Sequence, residues 1–198
     1  PLGRRKFKAW PLAEEAKKLL RDLTLGRMVT LSYGGRRLDR YGRALAHLYR
    51  DDGLWIQQRL LRRGMARVYS FRDNRAVVPE MLEAEGAARA ARVGIWGNRW
   101  YRIWQQEDLH KGLDGFFLIE GRVVSSAKVR GRIYLNFGQN WRTDFTITVA
   151  PRDRRLFDKS GFDHATMAGK RVRVRGWLKQ FNGPSIEATH PEQIEFLD

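Results

Sequence analysis

Asp39-Arg40-Tyr41-Gly42-Arg43 gathers two guanidinium groups and a phenol around one glycine. A guanidinium presents a planar fork of donors that matches phosphate oxygens, and its charge does not titrate away. Arg43 therefore suits the gripping of a phosphodiester and the stabilisation of charge that builds on it. Gly42 lets the backbone turn closely beside it. A solvated arginine at a turn carries the same local signature, so the surroundings must decide. Hydrolysis would also need a positioned water, and a hard cation needs several oxygen ligands in one place. The nearby acids do not supply them. Asp51-Asp52-Gly53 reads as turn chemistry, and Asp144-Phe145-Thr146 alternates like a strand. His47, alone on a strand pattern, reads as a packing residue.

A second constellation lies in VRGRIYLNFGQNWRTDF (129–145). Tyr134, Phe137 and Trp141 are able to stack on bases, and Arg130, Arg132 and Arg142 to hold phosphates. Binders of single strands combine those two features. The competing reading packs Tyr134 and Phe137 inside the fold. Alternation puts Ile133, Leu135 and Phe137 on one face and Tyr134 and Asn136 on the other, without saying which face is buried. In Lys170-Arg171-Val172-Arg173-Val174-Arg175, charge alternates with valine, which predicts a strand with a basic outer face.

Lys and Arg number 38 against 22 Asp and Glu in 198 residues, a formal charge of +16. Such a balance fits a polyanionic partner, because neutralising phosphates releases counterions. No strongly amphipathic basic helix suggests a membrane surface instead, and no apolar run has the length of a membrane span. Cysteine is absent, which excludes disulfides and thiolate metal sites. No signal peptide is visible, and the first residue is proline. The expectation is that further polypeptide precedes it.

The elements follow from periodicity and punctuation. Residues 11–23 predict a helix with Pro11 in its first position. Strands are predicted over 27–33, 41–50 and 66–71, and helices over 55–63 and 79–93, with Gly64 and Gly94 as stops. Leu60, Leu61, Met65, Ile95 and Trp96 are assigned to the core. The aromatic-rich stretch 97–112 reads as a connector packed on one domain. Strands then recur at 116–124, 132–138, 144–150, 170–180, and 185–190 with 193–197. An insert at 154–169 follows the third, which is the order of a small OB-type barrel.

The run DRYGRALAHLY, the helix ending LLRRGMARVY and the helix EMLEAEGAARAARVGIW resemble, in order and spacing, the staphylococcal nuclease (thermonuclease) family over residues 11–96. The resemblance implies a five-stranded OB barrel with helices and calcium-dependent hydrolysis of DNA and RNA. It also implies roles. Arg43 matches the family's second catalytic arginine, and Arg40 and Tyr41 match contacts to a terminal phosphate. Tyr69 and Phe71 resemble the aromatics of the base pocket, and Glu85 a buried structural glutamate. The family's first three strands have no counterpart here. With them go an Asp-Gly-Asp-Thr turn and an Arg-x-x-x-x-Asp-x-Pro-Glu segment, which carry the metal-binding aspartates, the first catalytic arginine and the glutamate that acts on water.

The resulting expectation is an α+β chain: a nuclease-like domain at 1–97 lacking its first strands, a connector at 98–114, and an OB-type barrel at 115–198. The nucleic-acid contacts expected are Arg40, Tyr41, Tyr69, Phe71, Arg130, Arg132, Tyr134, Trp141 and Arg142, with Arg43 catalytic. Ca²⁺ enters by resemblance only, with no ligands in the chain. A preceding segment or a partner chain would complete the first barrel. Secretion or a periplasmic location follows from the family alone. Two further classes stand beside the nuclease: a non-catalytic nucleic-acid binder and an OB-type protein scaffold.

Overall fold

The computed structural model describes residues 10–109 and 113–198. The chain forms two compact units that divide between Arg102 and Ile103. Among the described residues no helix is long and apolar enough to cross a membrane.

The first unit begins with α1 (Ala13–Thr24). Leu12 precedes it in the left-handed region, so the helix starts two residues after Pro11 rather than at it. The first strand, β1 (Val29–Ser32), pairs antiparallel with β2 (His47–Arg50). β2 is shorter than the predicted 41–50 because residues 37–45 close a separate hairpin. There Asp39 N–H donates to the Arg43 carbonyl and Leu45 N–H to that of Arg37. Two helices follow, α2 (Ile56–Arg62) and α3 (Val78–Ala90). Residues 66–71, expected as a strand, make only an isolated bridge from Phe71 to Asn74. The reason lies in α3: the buried carboxylate of Glu85 accepts the Val68 N–H at 2.6 Å, and Arg89 holds its other oxygen at 2.9 Å. A side chain takes the place of a strand partner.

The stop at Gly64 holds, whereas α3 ends at Ala90 with Arg92 in the left-handed region ahead of Gly94. Gly64 and Gly94 have φ of 62° and 58°, and their backbones touch. Ile95 N–H donates to the Gly64 carbonyl at 2.8 Å. A Cβ on either glycine would lie 2.2 Å from a carbonyl oxygen beside the other. This contact joins the ends of α2 and α3 over a core of Leu61, Val68, Val78 and Ala84. Leu61 and Ile95 are buried as expected, whereas Leu60, Met65 and Trp96 are half-buried. α1 is amphipathic yet fully buries none of its residues.

The predicted connector is divided between the units. Tyr101 belongs to the first, its hydroxyl donating to the Pro11 carbonyl at 2.8 Å. Trp104 and Gln105 form β3 of the second, parallel to β4 (Gly115–Arg122). The remaining strands are β5 (Ser125–Val129), β6 (Arg132–Asn136), β7 (Thr146–Val149), β8 (Arg171–Gln180), β9 (Pro184–Ala188) and β10 (Ile194–Phe196). The sheet runs β3-β4-β8-β9-β7-β6-β5, with β10 on β8. Only Val123 and Val124 separate β4 from β5. Val123 N–H donates to the Lys170 carbonyl beside β8, and Val124 N–H to the Asn136 carbonyl of β6. One bent strand thus changes partner at that step, and the sheet curls back onto its own beginning. With α4 (Arg154–Lys159) between β7 and β8, this is the OB order.

Ile133, Leu135 and Phe137 point into the barrel, and Phe157 of α4 joins the same cluster. The expected basic face of β8 is not free. Glu120 of β4 and Glu195 of β10 flank Arg173 in register, and both carboxylates bind it. Glu195 also holds Arg175 at 2.5 Å, a side chain only 1% exposed. β8 is a central strand at this point, so its arginines meet acids from both neighbours instead of water.

Gly64→Ala is expected to lower stability in a denaturant titration by at least about 2 kcal/mol, from left-handed strain plus the collision with the Val93 carbonyl. Gly53→Ala, with φ of 83° but open space, is expected to lose only about 1 kcal/mol. Equal losses would remove the close approach as a constraint.

Candidate nucleic-acid interface

The loop 39–43 is built around one carboxylate. Asp39 Oδ1 accepts the N–H groups of Tyr41 at 2.8 Å and Arg43 at 2.9 Å. Its Oδ2 accepts Arg43 Nε at 2.6 Å. Gly42, at φ 75°, lets the loop close. The Asp39 side chain is largely covered, whereas that of Arg43 is 74% exposed. Asp39 engages only Nε, which leaves the donors on the two terminal nitrogens directed away from the clamp. The guanidinium lies 5.2 Å from the centre of the Tyr41 ring, and that of Arg40 lies 4.8 Å from the same ring. Arg37 covers Tyr33 in a similar way. The result is a solvent-facing cluster of cations carried on aromatic faces.

Burial works to raise the Asp39 carboxyl, but the Arg43 and Tyr41 N–H groups and the Arg43 charge outweigh it. The carboxyl is held below its ordinary value. Asp52 is held at about 2, chiefly by its hydrogen bond from Arg50. Both acids are committed to arginines of the chain. Among the described residues no group of three or more acids and histidines is able to hold a metal ion. The family that the sequence resembles is generally Ca²⁺-dependent, yet Asp39, the acid beside Arg43, does not fit that ion, which would have to displace the arginine already bound to it.

Tyr69 and Phe71 meet edge to face at 4.8 Å, and both are substantially exposed. Their loop is tied to the basic hairpin by Arg36 N–H, which donates to the Asp73 carbonyl. His47 packs edge-on to Trp55, and burial lowers its pKa. Glu85 is fully buried and engaged by Val68 and Arg89, a structural placement.

The second constellation is divided by the barrel. Phe137 is interior; Tyr134 and Trp141 are on the outside. Arg142 stacks over Trp141 at 5.0 Å. Arg130 occupies the left-handed position of the β5–β6 turn. Arg132 donates to Glu187 at 2.8 Å, so its charge is already paired. Phe181, 75% exposed on the β8–β9 turn, belongs to the same surface as Trp141, and the sequence reading did not single it out. Its signal was the flanking Asn182-Gly183 turn, which places an apolar side chain where none is needed for folding.

Residues 3–98 match the family model described as staphylococcal nuclease homologue. The first unit is thus similar to the staphylococcal nuclease family. The Bacillus subtilis SPbeta prophage-derived endonuclease YokF is 33% identical over 93 residues, 46% of this chain and 31% of that protein. Endonuclease YncB of the same organism is 33% identical over 93 residues, 46% of this chain and 44% of that protein. The probable staphylococcal-like nuclease CAN1 of Oryza sativa subsp. japonica is 32% identical over 98 residues, 49% of this chain and 28% of that protein. The chain spans about a quarter to a half of the lengths of the curated relatives it matches.

The charge follows the same division. The first unit holds 23 Lys and Arg against 10 Asp and Glu, a net +13. The second holds 15 against 12, a net +3. The polyanion signal of the composition is therefore a property of the nuclease-type unit.

Two pH windows are expected in folding stability. His47, depressed by burial, contributes stability that is complete above pH 6.5 and is lost as pH falls through its folded value. Asp39 contributes stability present above pH 3.8 and lost as pH falls through its own depressed value. Denaturation across pH 3–8 should show the first window vanish in His47→Leu and the second in Asp39→Asn. Persistence of both windows in both variants would contradict the assignments.

Proposed function

We propose that this chain is the phosphate-gripping portion of a nuclease that hydrolyses phosphodiesters of DNA or RNA. The family match and the endonucleases among its relatives support nuclease-like function at the level of the family. One observation carries the finer reading. The terminal nitrogens of Arg43 stand in solvent while Asp39 fixes the side chain through Nε alone. A guanidinium so held is preorganised to receive two phosphate oxygens, and its charge opposes the negative charge that builds there during attack. Arg40 and Tyr41 would hold a neighbouring phosphate, and Tyr69 with Phe71 would take the base. Arg130, Tyr134, Trp141 and Arg142 of the barrel would assist in holding substrate.

In this reading the acidic half of the machinery comes from polypeptide outside these residues, on a preceding segment or a partner chain. The surface of the first unit supports it. β1 pairs with β2 alone among the described residues, and Leu20, Leu25, Met28 and Leu31 are exposed around it. An open strand edge amid apolar side chains favours further pairing. Ca²⁺, when bound in the completed protein, would supply Lewis-acid chemistry through ligands this chain lacks.

A second reading, a non-catalytic nucleic-acid binder, is favoured by the engagement of Asp39 and Asp52 with arginines. Cleavage of DNA and RNA, with Ca²⁺ and with chelator, separates the two when this chain is compared with the product of the whole open reading frame. Activity only in the longer protein is the expected result. There, Arg43→Ala should lower kcat roughly 100-fold or more while changing affinity far less. Equal loss of both would remove the catalytic role. Binding without cleavage in either form would select the second reading.

A further inference from the structure

The outward face of the barrel carries a groove of about 380 Å³ to which the nuclease-type unit contributes no residue. Its floor is set by strand register. Tyr134 stands beside Thr148, and Asn136 beside Thr146, which in turn neighbours Ser185. Trp141 of the β6–β7 loop and Phe181 of the β8–β9 turn complete the lining. No lining side chain is ionisable near neutral pH.

Both aromatic side chains are held in solvent by ordered backbone. The loop that bears Trp141 closes on Asp144: the Asn140 N–H donates to Asp144 Oδ2 at 2.8 Å, and Thr143 to Oδ1 at 3.1 Å. Asn140 also accepts the N–H groups of Arg142, Thr143 and Asp144. The turn that bears Phe181 is seated against this loop at Gly183. A Cβ there would lie 2.8 Å from the Thr143 carbonyl. Trp141 at 54% and Phe181 at 75% exposure are therefore fixed platforms, costly in water unless something stacks on them.

Part of the polar floor is engaged: Asn136 donates to Ser125 and accepts from Thr146, and Thr148 accepts from Arg132. The flat faces of Trp141 and Phe181 offer the larger contact area. Arg142 stacks on Trp141, whereas Arg132 and Arg152 share Glu187 and Arg152 also meets Asp153.

We propose that this groove binds an unpaired base of single-stranded nucleic acid, by stacking on Trp141 and Phe181, with little preference among the bases. The proposal rests on the nucleic-acid reading above and extends it to strandedness. Aromatic platforms accept any base because every base has a π-face, and a duplex hides those faces. Arg142, stacked beside Trp141, suits a phosphate next to the base.

The test uses the full chain in chelator, with labelled oligothymidylate and a duplex of equal length read by fluorescence anisotropy. The double variant Trp141→Ala/Phe181→Ala should weaken single-strand binding roughly tenfold or more and leave duplex binding unchanged within about twofold. Trp141→Phe should retain most of the affinity. Oligoadenylate and oligocytidylate should bind within about threefold of oligothymidylate. No loss in the double variant, or equal loss for duplex, overturns the proposal. So does competition by a neutral oligosaccharide that oligothymidylate does not match. Arg40→Ala/Arg43→Ala separates the two readings. If it abolishes binding while the aromatic variant does not, the phosphate grip stands and the groove falls. If the chain binds neither nucleic acid, both fall.

Discussion

The Asp39 carboxylate is the constraint around which the basic surface of the first unit is arranged. Four arginines, at 36, 37, 40 and 43, crowd eight residues of a hairpin. Their mutual repulsion alone would spread that hairpin. One anion accepts two backbone N–H groups and a guanidinium Nε, and so closes the loop while leaving the outer side of Arg43 in water. The Tyr41 ring, placed between two guanidiniums, lets further positive charge approach. A cation cluster held this way is ready for an anion before one arrives, which is the physical content of preorganisation.

The two units solve different problems. The second curls one sheet around sixteen core residues and binds its central arginines to cross-strand glutamates. Its net charge is small, and two of its exposed aromatics, Trp141 and Phe181, line one groove. The first has a smaller core cluster among the described residues, a net +13, and apolar side chains left in solvent along α1 and β1. Self-repulsion and sparse burial act together against it. Both deficits would shrink on contact with partners of opposite character, a polyanion on the basic loop and an apolar strand on the β1 edge.

Much of this was legible in the sequence, and the failures share a cause. The helix stop at Gly64 was readable because a left-handed glycine leaves a local signature, whereas Arg92, which takes that conformation after α3, leaves none. The barrel order was readable because alternation and turns are local too. What failed depended on distant partners. Residues 66–71 have strand composition, but Glu85, seventeen residues on, takes the Val68 N–H. The arginines of β8 look like a solvated face until Glu120 and Glu195 appear on either side of them. Arg132 was read as a phosphate ligand without sight of Glu187, 55 residues later. Alternation separated Tyr134 from Leu135, but only closure of the sheet decided that Tyr134 faces out. Phe181 was missed because a single apolar residue in a turn has no period.

Phosphate contacts and stacking contacts respond to different physics, and on the proposed reading the first unit would supply most of the phosphate grip and the barrel groove the stacking. Phosphate affinity comes from counterion release and falls steeply with salt. Stacking on a neutral groove is set by buried π-surface and is screened far less. A basic unit acting alone would lose its hold as ionic strength rises, and would hold paired and unpaired strands with little distinction. An uncharged aromatic groove adds affinity that survives salt and that only an exposed base receives. On that reading strandedness would be chosen where charge is low, while phosphate would be held where charge is high. Neither property has to be compromised for the other on one crowded surface.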